Sequence, residues 1–155
     1  MSFYESQRVE LVIAQRQMAI ALEIRKQVFQ LEQQVLPERE VDPFDALGEG
    51  APKCLHILGY DKDVPVATGR ILVPDCRDFY ATVGRVAVLF EFRRRGWGRR
   101  LMNEFRYLAK SRGYPGIELS AQCRVVPFYL GLGYRITSKI FMDAGIEHQK
   151  MRLSF

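Results

Sequence analysis

The chain has 155 residues, 48% of them hydrophobic and 26% charged, with 23 Lys+Arg against 18 Asp+Glu for a net charge of +5. That size and balance describe one globular domain, residues 1–155, and exclude a disordered or fibrous chain. No apolar run reaches the roughly 20 residues of a membrane helix, the polar start Met1-Ser2-Phe3-Tyr4-Glu5-Ser6 is no signal peptide, and Cys54, Cys76 and Cys123 are an odd set without metal-ligand spacing. A reducing, cytoplasmic location and no metal are therefore expected.

Val9-Glu10-Leu11-Val12-Ile13 reads as the first strand, and a helix is predicted over 16–35. There Ala21, Ile24, Val28, Leu31 and Val35 recur at three- and four-residue intervals as one buried stripe. Arg25, Phe29, Glu32 and Leu36 form the neighbouring stripe, so Arg25 and Glu32 read as an ion pair beside the core, with the wall of a cleft as the alternative. Pro37 ends that helix. Glu38–Lys53 is then an acidic loop in which Glu38, Glu40, Asp42, Asp45 and Glu49 face only Arg39; it either draws in a cation or is simply solvated.

Leu55–Tyr60, Val64–Val73 and Tyr80–Leu89 follow as an antiparallel meander. A helix over 96–112 carries Leu101, Phe105, Leu108 and Ala109 on one face and stops at Gly113. Gly116–Ala121 comes directly after it, which makes a right-handed crossover and a parallel pairing with the fourth strand the natural arrangement. Val125–Leu132 is a short helix closed by Gly133, and Tyr134–Phe141 and His148–Leu153 are the last strands, joined through Asp143-Ala144-Gly145. The fold class is α/β, a mixed and mostly antiparallel sheet with helices on both faces.

The densest chemistry lies in Phe92-Arg93-Arg94-Arg95-Gly96-Trp97-Gly98-Arg99-Arg100-Leu101, between a strand and a helix. Five arginines supply charge, Gly96 and Gly98 let a ligand approach the backbone, and the helix start offers unpaired N–H groups and a positive dipole end. Such a junction is suited to phosphate. A solvated arginine face is the alternative.

This element order, with the segment Arg93-Arg94-Arg95-Gly96-Trp97-Gly98, resembles the GNAT superfamily of acyl-CoA-dependent N-acetyltransferases, whose cofactor motif is Arg or Gln, two residues, Gly, any residue, then Gly or Ala. Pro127-Phe128-Tyr129-Leu130-Gly131-Leu132-Gly133-Tyr134 is similar to the family's F-Y-x-x-x-G-F/Y signature. Arg25-Lys26-Gln27-Val28-Phe29-Gln30-Leu31-Glu32-Gln33 and Glu40-Val41-Asp42-Pro43-Phe44-Asp45 resemble features of the ElaA-like branch, as do Leu119-Ser120-Ala121-Gln122 and Gly145-Ile146-Glu147-His148. The chain departs from the family where Leu89-Phe90 replaces Ser-Pro, where Arg94 replaces glycine, and where Gln122-Cys123-Arg124 replaces a cofactor-touching Asn.

The resemblance implies acetyl-CoA as cosubstrate and an amine-bearing acceptor, a small molecule or a peptide. It places the pyrophosphate on Arg93, Arg94, Arg95, Gly96, Trp97, Gly98 and Arg99, with Trp97 either packing or bordering the cofactor. The pantetheine amides would add like an extra strand to Val86, Ala87 and Val88, provided strands four and five splay, with Gly84 assisting through a bulge. Tyr129 is the candidate proton donor to the departing thiolate, or else a core tyrosine; Glu32, Glu118 and His148 are candidate bases, or else structural groups. Direct attack is preferred over an acyl-Cys123 route, because no histidine is placed by sequence to activate that thiol.

Two alternatives remain, a non-catalytic acyl-CoA-binding domain and a polyanion-binding one. Nucleic acid is not the expected partner, since there is no second basic run and the acidic loop opposes it. Pairing of the last strands between two copies, as a homodimer, is left open.

Overall fold

The computed structural model describes residues 6–155, so the polar start up to Glu5 lies outside the described residues. One twisted sheet organises the chain. Its strands are β1 (Gln7–Leu11), β2 (Cys54–Asp61), β3 (Val64–Leu72), β4 (Ala81–Val88), β5 (Gly116–Gln122), β6 (Arg135–Ile136), β7 (Phe141–Asp143) and β8 (Ile146–Ser154). They lie in the order β1-β2-β3-β4-β5-β8-β6, with β7 also paired to β8. Among the described residues only the β4–β5 pairing is parallel.

Side chains alternate across the strands and feed two cores. On one face Ile57, Ile71, Val83, Ile117 and Leu119 pack under the helix α3 (Trp97–Ser111) through Leu101, Phe105 and Leu108. On the other, Leu58 and Ala87 pack under α1 (Gln15–Arg25) through Met18, Ala21 and Ile24. Trp97 is buried to 1% exposure at the start of α3, and a Cβ on Gly59 would come 2.6 Å from its ring. Gly59 therefore has to be glycine for α3 to sit this close to β2.

The first predicted helix changes character half-way. Beyond Arg25 the bonding widens to a π-helix over Lys26–Glu32, with the Gln33 N–H donating to the Val28 carbonyl at 3.2 Å. Five-residue spacing shifts the phase of the stripe. Ala21, Ile24 and Val28 are buried as expected, but Leu31 turns out to 65% exposure. Pro37 does not close this helix; it opens a separate short one, α2 (Pro37–Glu40).

The acidic segment divides: Glu38 and Glu49 are exposed, as in the solvated reading, whereas Glu40, Asp42 and Asp45 correct both readings, for they are held by arginines of the fold and neither await a cation nor lie in water. Arg25, only 1% exposed, donates from Nε to Glu40 Oε1 at 2.5 Å and from Nη1 to Asp45 Oδ1 at 2.5 Å. Arg70 on β3 donates from Nη2 and Nη1 to Asp42 at 2.6 and 2.7 Å and from Nη1 to Asp45 at 2.9 Å. Glu40 and Asp45 are buried, Asp42 half-buried. Arg25 thus pairs across the fold and not with Glu32 along its own helix. Burial alone raises the pKa of Asp42 and Asp45, yet the arginine hydrogen bonds outweigh it and hold both below the usual carboxylate value.

Smaller differences lie at element ends. β1 begins at Gln7, ahead of the predicted 9–13. The strand predicted over 134–141 is split into β6 and β7, because the Ser138 hydroxyl takes the Lys150 N–H at 2.8 Å and bends the chain between them. Ala144 and Gly145, at φ 49° and 75°, make the tight turn of the β7–β8 hairpin.

Candidate functional site

β4 and β5 are in register only at Ala81–Ile117, Thr82–Glu118 and Val83–Leu119. Past Val83 the strands separate, and the groove between them has a volume of about 920 Å³. That is the size of a cofactor pocket. The splay starts at a bulge, since Thr68 faces Ala87 and Arg70 faces Gly84, leaving Arg85 and Val86 together opposite Gly69. The left-handed residue there is Arg85 at φ 55°, whereas Gly84 keeps its regular pairing. The bulge is carried by the residue after the expected glycine.

On its other side β4 stays bonded to β3, where the Leu89 N–H donates to the Val66 carbonyl at 2.9 Å. Peptide groups alternate in direction along a strand, so the neighbouring Val88 turns its N–H and C=O toward the groove. Ala87, in register with Thr68, turns its polar groups to β3. Of the three residues expected to form an open edge, Ala87 is therefore wall and not hydrogen-bonding partner.

At one end of the groove stands the arginine–glycine turn. Gly96 caps α3 in the left-handed conformation at φ 82°, and Arg94 is also left-handed at φ 62°. The turn keeps the shape a glycine would give at Arg94, at a cost of about 1 kcal/mol. Gln7 ties it to β1 by donating to the Arg95 carbonyl at 2.8 Å. Arg94 and Arg99 line the groove with Gly96 and Gly98, and a Cβ on Gly98 would stand 3.0 Å from the Phe128 ring.

Arg93 lines the groove too, with its guanidinium tied down: it donates from Nε to the Val88 carbonyl at 2.9 Å and from Nη2 to the Glu32 carboxylate at 2.9 and 3.0 Å. Two expected cofactor contacts are corrected here. Arg95 lies over the Phe92 ring, 3.7 Å from Asp61, and does not border the groove. Trp97 contributes backbone only, because its indole is in the core.

The catalytic candidates separate in the same way. Glu32 is held by Arg93, and Glu118 by Arg152 at 2.9 Å; neither lines the groove, so both are corrected to ion-pair partners. His148 does line it. Its Nδ1 lies 2.7 Å from the Ile146 carbonyl, an oxygen that can only accept, so Nδ1 carries a proton and in the neutral ring the lone pair is on Nε2. Phe141 stacks on the ring at 5.9 Å and fixes its plane.

Tyr129 enters the groove from α4 (Val126–Gly131), 8% exposed and wedged between Phe128 and Tyr134 at ring distances of 5.0 and 5.7 Å. Its hydroxyl has no hydrogen-bond partner among the described residues. Burial pushes its pKa up to about 12, so it remains a proton-bearing phenol.

Sequence reasoning gave no groove role to Arg85, Arg124 and Gln33. Arg124 lines the mouth and donates to Gln122 at 3.0 Å, and Gln122 in turn donates to Gln33 at 2.8 Å, joining β5 to the end of the π-helix. The only signal for them was polar residues at strand and helix ends.

The acetyltransferase (GNAT) domain pattern matches residues 45–155. The chain belongs to the GNAT family. The uncharacterized N-acetyltransferase YjcF of Bacillus subtilis is 37% identical over 138 residues, 88% of this chain and 92% of that one. ElaA of Escherichia coli is 30% identical over 134 residues, 85% of this chain and 84% of its own, and its crystal structure superimposes with a TM-score of 0.80 over 94% of this chain and 98% of that one at 26% identity. An acyl-CoA N-acyltransferase from Pseudomonas aeruginosa shares the fold at a TM-score of 0.81 and 24% identity, covering 95% and 99% of the two chains. Within the GNAT family the chain falls with the ElaA-like branch, and Arg25, Glu40, Asp42 and Asp45, drawn from two of the branch-like segments, meet in its buried ion cluster. No helix among the described residues is long and apolar enough to cross a membrane.

Proposed function

We propose that this GNAT protein transfers an acetyl group from acetyl-CoA to a primary amine by direct attack. The observation that carries the reading is the three-residue limit of the β4–β5 ladder, which leaves the Val88 N–H without a β5 partner among the described residues and turned to a cofactor-sized groove. Val86 and Val88 would hold the pantetheine arm as an added strand, and the N–H groups from Arg94 to Arg99, with the Arg94, Arg99 and Arg124 side chains, would hold the phosphates. When bound, acetyl-CoA supplies a thioester carbonyl open to attack by an amine.

The protein's own groups handle the protons. His148 Nε2, unprotonated in the tautomer fixed by Ile146, takes the proton of an incoming ammonium. The Val88 N–H, turned toward the groove, would stabilise an oxyanion developing on the thioester carbonyl. Tyr129, kept protonated by its burial and lining the groove, would be the donor to the departing thiolate. A chain of this kind works at neutral pH without a metal in any of the roles assigned.

The test is an amine panel incubated with acetyl-CoA and followed by free-thiol release and product mass. Acetylated product in amounts equal to the thiol released is expected for some class of primary amine. Thiol release without acetylated amine would contradict the transfer.

A further inference from the structure

Three guanidiniums and three carboxylates meet where α2 and the turn after it cover the bulge in β4, and their bonds are shared unevenly. Arg25 and Arg70 take the short contacts. Arg85 is left with its Nε on the Glu40 carbonyl at 3.0 Å, its Nη2 at 3.4 Å from both the Arg39 carbonyl and Asp42, and Glu40 Oε1 at 3.7 Å. Its Nη1 has no partner among the described residues. Beside it, the Nε of Arg70, across the ladder from Gly84, is buried without an acceptor. Burial, then repulsion from Arg70 and Arg25, lowers the Arg85 pKa, against the pull of Asp42 and Glu40.

Arg85 is also held where an arginine is costly. At φ 55° it occupies a left-handed conformation that glycine adopts freely and that a side chain disfavours. What the residue places there is a half-buried guanidinium on the groove wall, immediately before Val86 and in a lining shared with Thr82, Ser120 and His148. Strain of this kind, at a site with an unmet donor, marks a position kept for a ligand.

Resting on the transferase reading above, we infer that Arg85 is a specificity residue which pairs with a carboxylate on the acceptor, so that the acceptor is an amino-acid-like molecule bearing both amine and carboxylate. The carboxylate supplies the acceptor that Nη1 lacks among the described residues, through a charge-assisted hydrogen bond to a half-buried guanidinium. A simple amine or polyamine leaves that donor unmet and meets a groove wall of its own charge.

The experiment compares the twenty protein amino acids, β-alanine and 4-aminobutyrate, each with its own carboxamide, in the acetyl-CoA assay. At least one acid is expected to exceed its carboxamide about tenfold or more in kcat/KM, although the carboxamide presents the more readily deprotonated amine, and R85Q is expected to collapse that ratio. Phosphoethanolamine is included to separate carboxylate from phosphate. Equal or faster use of the carboxamides overturns the inference, as does preference for phosphoethanolamine over every acid, or no use of any acid while acetyl-CoA still stabilises the protein. A ratio that survives in folded R85Q overturns the assignment to Arg85. Absence of acetyl-CoA stabilisation is a different result and overturns the transferase reading itself. The comparison on the unaltered chain stands even if R85Q does not fold.

Discussion

Replacing Tyr129 by Phe is expected to lower kcat about a hundredfold, with the KM for acetyl-CoA changed less than about threefold, the loss typical of removing one positioned acid. The ring is clamped between Phe128 and Tyr134 at 5.0 and 5.7 Å, and the substitution keeps that packing while deleting only the hydroxyl. Because the hydroxyl makes no hydrogen bond among the described residues, the fold loses no partner and the melting temperature should stay within a few degrees. A pKa of about 12 has a further consequence for the pH profile. Below that value the phenol carries its proton, so Tyr129 imposes no loss of activity on the basic side of neutrality. Steady-state kinetics of Y129F from pH 6 to 10 checks this. Full activity in the variant would return Tyr129 to the role of a core tyrosine.

Replacing Arg25 by Met is expected to cost about 3–5 kcal/mol, because Glu40 and Asp45 are left charged and buried without their nearest partner. For a domain of this size that corresponds to a fall in melting temperature of about 6–20 °C. The pH dependence follows from the sign of the shifts. Asp42 and Asp45 have folded pKa values below their unfolded ones, so each stabilises the fold above the ordinary carboxylate value near about 4, and that contribution is lost as pH falls through the folded value. The gap between the unaltered chain and R25M, which removes a cause of the Asp45 shift, should therefore be widest at neutral pH, begin to narrow below about pH 4, and close as pH falls through the folded value of Asp45. Thermal melts at pH 3, 5 and 7 read it directly; a gap that widens in acid would contradict the ion-cluster account.

The elements carried by local patterns were legible. Leu101, Phe105 and Leu108 announced α3, Gly133 closed α4, and the crossover from α3 into β5 dictated a parallel neighbour and so the place where a sheet splays. The acidic segment was illegible because its partners are far away in sequence: Arg25 lies 20 residues from Asp45 and Arg70 28 from Asp42, and no periodicity links them. The exposure of Leu31 was hidden for another reason, since a π-helix has no distinct apolar signature and a 3.6-residue stripe runs through it unbroken.

At the site, sequence located the turn but not the division of labour within it. Five arginines look alike in a string, yet Arg93, Arg94 and Arg99 line the groove while Arg95 lies over Phe92, and of the three Arg93 is already held by Glu32 and the Val88 carbonyl. The same long-range pairing removed Glu32 and Glu118 from the list of bases and left His148, whose tautomer depends on a carbonyl only two residues away.

The central claim is that the splayed edge of β4 and the turn at 94–99 together hold acetyl-CoA. The most direct measurement is the melting temperature with acetyl-CoA, with ATP and with duplex DNA at matched concentrations. Acetyl-CoA at 100 times its Kd adds about 2.7 kcal/mol, a rise of about 5–11 °C, and the account predicts that rise with a clearly smaller one for ATP and for DNA. No rise with acetyl-CoA, or an equal rise with DNA, would make the arginine turn a general anion patch and contradict the account.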